Sequence, residues 1–331
     1  MVEKTRRKNS YNSKSNTLHT DRKGRSSGTK NKTQKRRSGY TRSGGSKFEK
    51  EVCGPNPGVK KNYSCYSDTT LHKMKSLWNV RHPFGKIQSD DPKVIWQELK
   101  KNLRNSCNKE SCWFQSELLG GTMKLSDKEL RLIRNSFAPK APRQWNREPR
   151  TWLSSTDIMS VMKQYEYFYP SFDFIGPAPL DFDHHLHNGK CVWEDLCKFS
   201  VERQLEDGKR KIGIILNTDY HDEPGQHWIA LFVDLDSKYI MYFDSTGDRP
   251  PEEVIHFYKR VREEAKKLKM PLKLYINKTK HQKKNTECGM YVLFFIIELL
   301  TGRKTPADFM NKKMHDEEAF QLRRQYFRYD Q

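Results

Sequence analysis

Between Gln282 and Leu300 the chain reads Gln-Lys-Lys-Asn-Thr-Glu-Cys-Gly-Met-Tyr-Val-Leu-Phe-Phe-Ile-Ile-Glu-Leu-Leu, and the second half of that stretch admits few folds. From Met290 to Leu300 every position but Tyr291 and Glu298 is apolar, the pattern of a helix buried nearly all round, and Gly302 closes it. These residues fall short of the about 20 needed to cross a bilayer. They predict the core helix of a soluble domain, with no membrane partner. The first turn of that helix holds Cys288. A cysteine there sits in the positive end of the backbone dipole, which favours thiolate over thiol and makes a nucleophile at neutral pH. Gly289 leaves space beside it. Buried free cysteines are common, so the chemistry of Cys288 depends on its partners.

The charge is uneven. The whole chain carries +21, but residues 1–50 alone hold 16 Lys/Arg against 3 Asp/Glu. That stretch is Lys, Arg, Ser, Asn, Thr and Gly with almost no aliphatic side chains. It cannot bury enough surface to offset the entropy of ordering and is expected to be a disordered basic tail. Thr5-Arg6-Arg7-Lys8 and Lys35-Arg36-Arg37 suit a nuclear address or contacts to DNA or RNA phosphates. Seven cysteines without regular spacing argue against a secreted disulfide scaffold. The N-terminus leads into no apolar run of the signal-peptide kind. Both point to a reducing, intracellular location.

Three parts follow from composition: the tail (1–50), a helical N-terminal domain (51–150) and a larger domain (151–331), with Pro139, Pro142 and Pro149 marking a rigid boundary. In the second part, Asp91-Pro92 opens a helix with Ile95, Leu99 and Leu103 on one face. Ser126 and Glu129 form a capping box, with Leu125 and Leu130 as its staple, opening another helix to about Asn135. The intervals among Cys53, Cys65, Cys107 and Cys112 fit zinc-finger spacings poorly. Beyond the boundary, Ser154, Ser155, Thr156 and Asp157 lead into a helix through Met162. Asp183, His184, His185, His187 and Cys191 lie in a Gly- and Asn-containing loop with no second cluster at matching spacing. They read as a solvated loop, and no metal or cofactor is expected. Strands are predicted at 212–216, 227–234, 239–243 and 272–276, with a helix from Pro250 to about Leu268 between the last two. The domain is α+β.

His227 opens one strand and Asp244 closes the next, with Asp234-Leu235-Asp236-Ser237 as the turn between them. A hairpin about that point opposes His227 and Asp244 directly, Cβ atoms about 5 Å apart, within reach of a hydrogen bond. The aspartate would fix the imidazole tautomer and leave the other ring nitrogen for a thiol, so that with Cys288 a nucleophile, a base and an orienting group are all present. Gln282, in the loop before the helix, could hold an oxyanion together with the Cys288 backbone N–H.

His227-Trp228, Asp244, Gln282 and Cys288-Gly289, in this order and spacing, resemble the signature of the ubiquitin-like-protein-specific cysteine proteases and their adenovirus relatives. Within that group, Leu216-Asn217-Thr218-Asp219-Tyr220, the segment His227 to Asp234, the run His281 to Gly289 and Cys107-Asn108-Lys109-Glu110-Ser111-Cys112 resemble the polyprotein proteases of large DNA viruses such as African swine fever virus. The resemblance extends from about residue 90 to the end and does not cover the tail. It implies a papain-like cysteine protease core of the adenovirus and SUMO-protease type, with a smaller helical N-terminal domain. It also implies cleavage after Gly-Gly, the glycines threading a tunnel walled by tryptophan. Trp152, in Trp-Leu-Ser-Ser, matches the first residue of the family's Trp-Leu-Asn-Asp motif and with Trp228 would line that tunnel. Asp244 follows the ubiquitin-like proteases, whereas the swine fever virus branch has asparagine there.

The expected activity is cleavage of viral structural polyproteins during particle maturation, in the host cytoplasm or nucleus, with packaging in the virion. The same site would serve a SUMO-type isopeptidase. A catalytically idle nucleic-acid-binding or scaffold protein would instead use the tail as its active part. Two Gly-Gly-X sequences lie in the chain itself, at Gly44-Gly45-Ser46 and Gly120-Gly121-Thr122. Both read as flexible loops, the first being the better placed for self-processing.

Overall fold

The computed structural model describes residues 48–120 and 125–329. The basic tail with Gly45, and Gly121, lie outside the described residues, so the expectations attached to them are not addressed by the structure. The described residues group into one compact unit.

The first part of that unit is helical. It contains α1 (Asp68–Arg81), α2 (Pro92–Leu103), two 3-10 turns (Glu110–Gln115 and Glu117–Leu119) and α3 (Asp127–Asn135). Asp91 caps α2 by accepting from the N–H groups of Lys93 and Val94, and Ile95, Leu99 and Leu103 are fully buried. Ser126 and Glu129 make the reciprocal capping box at α3. The cluster formed by these helices is centred on Trp113, Tyr66 and Phe114. It is tied to the far end of the chain by Arg328, which donates to Glu51, Ser111 and the Ala138 carbonyl.

Cys53 is bonded to Cys65, Cys107 to Cys112 and Cys191 to Cys197, leaving Cys288 free among the described residues. This corrects the reading of irregular spacing as evidence against disulfides. All three pairs are local, their partners 12, 5 and 6 positions apart, and tight chain reversals, rather than regular intervals, bring the sulfurs together.

The second part opens with α4 (Ser155–Phe168), capped by Ser154 and Asp157, and continues through β1 (Phe172–Pro179), α5 (Glu194–Cys197), α6 (Val201–Glu206), β2 (Lys211–Asn217), β3 (Trp228–Asp234), β4 (Tyr239–Phe243), α7 (Glu252–Lys267), β5 (Lys273–Ile276), α8 (Cys288–Leu300), α9 (Pro306–Asn311), α10 (Asp316–Gln321) and α11 (Arg323–Tyr326). The strands form one sheet in the order β1-β2-β3-β4-β5, antiparallel at its centre and parallel at both edges. β3 is buried at every position because both faces of the sheet are covered. Ala230 and Phe232 face α8 and α4, while Ile229, Leu231 and Val233 face α7. Each large apolar side chain buried this way contributes about 1.5–3 kcal/mol.

Helix α8 packs hard on the sheet. A Cβ on Gly213 of β2 would stand 2.9 Å from Ile296 Cγ2, so the glycine sets the close approach. At the other end Gly302, at φ 68°, closes the helix in a left-handed conformation that a Cβ disfavours. Seven helices and strands were not foreseen: α1, β1, α5, α6 and α9 to α11. β1 carries Gly176, Pro177 and Pro179, which argue against a strand but are tolerated at a sheet edge, and its register shifts between Ile175 and Ala178. α1 is 14 residues long, but its buried Leu71, Met74 and Trp78 stand among polar residues, and α5, α6 and α9 to α11 are too short to carry a periodicity.

The hairpin register differs from expectation. Ala230 pairs with Phe243 and Asp234 with Tyr239, so the loop is 235–238 and Asp234 stays in β3. The buried Asp234 carboxylate accepts from the Ser237 N–H at 2.7 Å, and Lys238 takes φ 55°, which completes the reversal one residue later than predicted. His227 and Asp244 are therefore not directly opposed.

Candidate active site

Despite that offset, His227 and Asp244 meet. Each lies one residue beyond its paired strand, and a diagonal neighbour two positions along is within reach of long side chains. His227 Nε2 donates to Asp244 Oδ1 at 2.8 Å, which leaves Nδ1 as the ring nitrogen available to the Cys288 thiol, a group near enough to raise the affinity of the imidazole for its proton. Burial lowers the affinity of His227 for its proton, but the hydrogen bonds to Asp244 and Cys288 and their charges outweigh it, so the pKa is pushed up to about 10. Asp244 is itself held: its Oδ1 accepts from the Thr246 N–H and hydroxyl, both at 2.8 Å, and its backbone carbonyl accepts from Asn277 Nδ2.

Cys288 is the first residue of α8 and only 2 % exposed. An N–H at this position has no intrahelical partner. The requirement for glycine beside it is steric, since a Cβ at Gly289 would lie 2.8 Å from Leu153 Cβ and 2.9 Å from its Cδ1. Leu153 is fixed from its other side by Trp228, whose Nε1 donates to the Leu153 carbonyl at 3.1 Å. The Trp152-Leu153 backbone is thus held between the start of the nucleophile helix and the start of the histidine strand.

Gln282 is 3 % exposed. Ser245 donates its hydroxyl to Gln282 Oε1 at 2.7 Å, which orients the amide, and Nε2 uses one of its two hydrogens on the Lys284 carbonyl. Asp316 pins the same loop by accepting from the N–H groups of Lys283 and Lys284. Its neighbour His281 is no rival base. Burial holds its pKa below the usual value, and both ring nitrogens are engaged, with the Phe309 carbonyl and the Met314 N–H.

Trp152, 42 % exposed, separates two clefts. On one side His227, Thr246, Gln282 and three lysines, Lys280, Lys283 and Lys284, form a basic mouth. On the other a longer groove runs past Trp228, Pro177, Trp193 and Tyr220. All six residues singled out from the sequence, Trp152, His227, Trp228, Asp244, Gln282 and Cys288, therefore belong to one region. The reading missed Ser245, Thr246 and Asn277, which hold Gln282 and Asp244. It also missed Glu287, which lies immediately before the nucleophile. The Glu287 carboxylate is wholly buried against Arg323 at 2.9 Å, with Arg150 at 3.4 Å from its other oxygen. Only the adjacency of Ser245 and Thr246 to Asp244 was a signal available in the sequence.

A free, buried cysteine at the start of a core helix, beside a histidine paired with an aspartate on an α+β scaffold, defines the class as a cysteine protease. Residues 202–330 match the C-terminal catalytic domain of the Ulp1 protease family. The chain is 31 % identical over 187 residues to a cysteine protease of African swine fever virus, covering 53 % of this chain and 67 % of that one. It is 27 % identical over 300 residues to a protein of Acanthamoeba polyphaga mimivirus named as a thiol protease, 84 % of this chain and 93 % of the relative. The crystal structure of the swine fever virus protease superposes with a TM-score of 0.59 at 22 % identity, covering 85 % of this chain and 96 % of that one. This chain belongs to the Ulp1 family of cysteine proteases, and these relatives are viral.

Proposed function

We propose that the protein is an endopeptidase that cuts after Gly-Gly in viral structural polyproteins, acting within the infected cell and carried into the particle. The observation that carries this reading is the burial of the nucleophile. Cys288 is 2 % exposed, and the mouth that holds its partner histidine is bounded by Trp152, Gln226, His227 and Gln282. A backbone without side chains next to the scissile carbonyl reaches such a thiol most readily. The viral relatives, named as cysteine and thiol proteases, support the same reading.

In the reaction we propose, Cys288 Sγ attacks the glycine carbonyl carbon as a thiolate whose proton already rests on His227, with Asp244 holding the imidazolium through Nε2. The oxygen takes the negative charge and is met by the Cys288 N–H and by the second hydrogen of Gln282 Nε2. Collapse breaks the C–N bond, the leaving amine takes the proton from His227, and water, deprotonated by the same imidazole, hydrolyses the thioester.

Removal of a SUMO-like modifier would need the same groups, so the test has two arms: an unstructured peptide containing Gly-Gly-Ser, and a folded ubiquitin-like modifier joined to lysine. Cleavage of the peptide with kcat/KM at least about tenfold above its Ala-Ala-Ser counterpart supports the endopeptidase. Cleavage of the conjugate alone replaces it with the isopeptidase. Cys288→Ala is expected to abolish turnover and labelling by a thiol-directed probe, while Cys107→Ala leaves both; retained proteolysis in Cys288→Ala would sink the assignment.

A further inference from the structure

One cluster of ligating side chains lies outside the catalytic machinery. Val192 N–H donates to the His184 carbonyl, and Gly189 N–H to that of Leu186, folding 184–192 into a small hairpin in which His185 and Cys191 bridge across. Cys197, the last residue of α5, closes on the same spot. His185 Nε2, Cys191 Sγ and Cys197 Sγ all lie within 4.8 Å of one another, and Nε2 is 3.7 Å from Cys191 Sγ. Two ligands at about 2.05 and 2.3 Å from a tetrahedral zinc ion stand about 3.6 Å apart. At the foot of the hairpin, Asp183 has a buried Oδ1 with no hydrogen-bond partner among the described residues. Cys197, six positions beyond Cys191, lies in the same cluster.

We propose that in its reduced form this hairpin is a binding site for a zinc-class divalent cation, held by His185, Cys191 and Cys197. The two cysteines are joined in this structure, so the site has two states. A dithiol reductant, itself oxidised to its disulfide, delivers two electrons and two protons and opens the Cys191–Cys197 bond. Binding of M²⁺ to the two thiols then releases two protons and gives a bis-thiolate complex with neutral His185 as third ligand. The Cα atoms, 6.3 Å apart, leave room for both thiolates on one ion. Soft thiolates with an imidazole select zinc over magnesium or calcium. Val192 and Trp193, between the two cysteines, line the groove beyond Trp228, so an occupied site would fix one wall of that groove.

The test uses the full chain carrying Cys288→Ala, which removes the catalytic thiolate as a competing ligand. The protein is reduced with a phosphine and titrated with Zn²⁺ or Co²⁺ under argon. The expected result is one equivalent bound at this site, with thiolate-to-cobalt charge-transfer absorption. Affinity should fall at least about tenfold in Cys191→Ser/Cys197→Ser and in His185→Gln, and be unchanged in Cys107→Ser/Cys112→Ser. His185 is exposed, so its variant reports on the site even if the cysteine variant folds poorly. Binding unaffected by His185→Gln and by Cys191→Ser/Cys197→Ser, or no binding by the reduced parent chain, overturns the proposal. Neither outcome bears on whether the enzyme cleaves peptides.

Discussion

Replacement of Asp244 tests how the histidine is charged. His227 has an ordinary pKa of 6.5 and is pushed up to about 10 in the fold, against the effect of its own burial. At 1.36 kcal/mol per pKa unit this difference corresponds to about 5 kcal/mol, shared between Asp244 and Cys288. Asp244 supplies the larger hydrogen-bond contribution, so roughly half or more, about 2–3 kcal/mol, should vanish in Asp244→Ala. The basic limb of kcat/KM against pH, which reports the free enzyme, is then expected to move from near pH 10 to near pH 8. Asp244→Asn keeps an oxygen for Nε2 and for the Thr246 donors and should remain active, with its basic limb lowered as well. Stability follows the same linkage. Because the folded pKa is raised, the contribution is fully present below pH 6.5 and is lost as pH rises through about 10. Wild type and Asp244→Ala should therefore differ most in denaturant midpoint at pH 6 and converge at high pH. A basic limb that stays near pH 10 in Asp244→Ala would refute the claim that Asp244 sets the protonation of His227.

Three other perturbations follow from the packing and the sequence. Gly289→Ala places a methyl group 2.8 Å from Leu153 Cβ and should cost about 1–3 kcal/mol in thermal unfolding, with a fall in kcat/KM that Leu153→Ala partly restores; additive single and double variants would refute the contact. Arg323→Met leaves the buried Glu287 carboxylate uncompensated and should lower stability by about 3–5 kcal/mol in urea unfolding, where a change below 1 kcal/mol would show that Arg150 suffices. If the basic tail contacts phosphates, the full chain should bind DNA with affinity falling at least about tenfold from low to physiological salt, whereas a chain beginning at Phe48 should bind far less, and equal binding by the two would exclude that role.

Much of the site could be read from the sequence because its chemistry is carried by single residues at fixed places on strongly patterned elements. Cys288 heads a run so apolar that only a core helix satisfies it, and His227 and Asp244 stand at the ends of obvious strands. The exact hairpin register could not be read, since Asp234 fits a turn by composition yet is retained in β3, where it pairs with Lys211 and Tyr239 and its carboxylate accepts from Ser237. Partners distant in sequence were equally hidden. Nothing local announces that Ser245 orients Gln282, or that Arg323, in a four-residue helix, neutralises Glu287. The disulfides were missed for a similar reason, as the segments of 12, 5 and 6 positions that join their cysteines are too short to carry a pattern.

The position of α8 along the chain bears on how the protease is made. Synthesis from the N-terminus delivers all five strands before the helix that covers one of their faces, so Ala230, Phe232, Met241 and Phe243 emerge from the ribosome with no α8 to pack against. Until about residue 300 has cleared the exit tunnel, the nascent sheet is an uncovered apolar surface of the kind that chaperones hold. The same order keeps the histidine and aspartate apart from the cysteine until α8 has been made, and Arg323, which pairs with the glutamate beside that cysteine, arrives later still. A chain interrupted before Cys288 would carry the histidine and aspartate without the thiol and is expected to be inert.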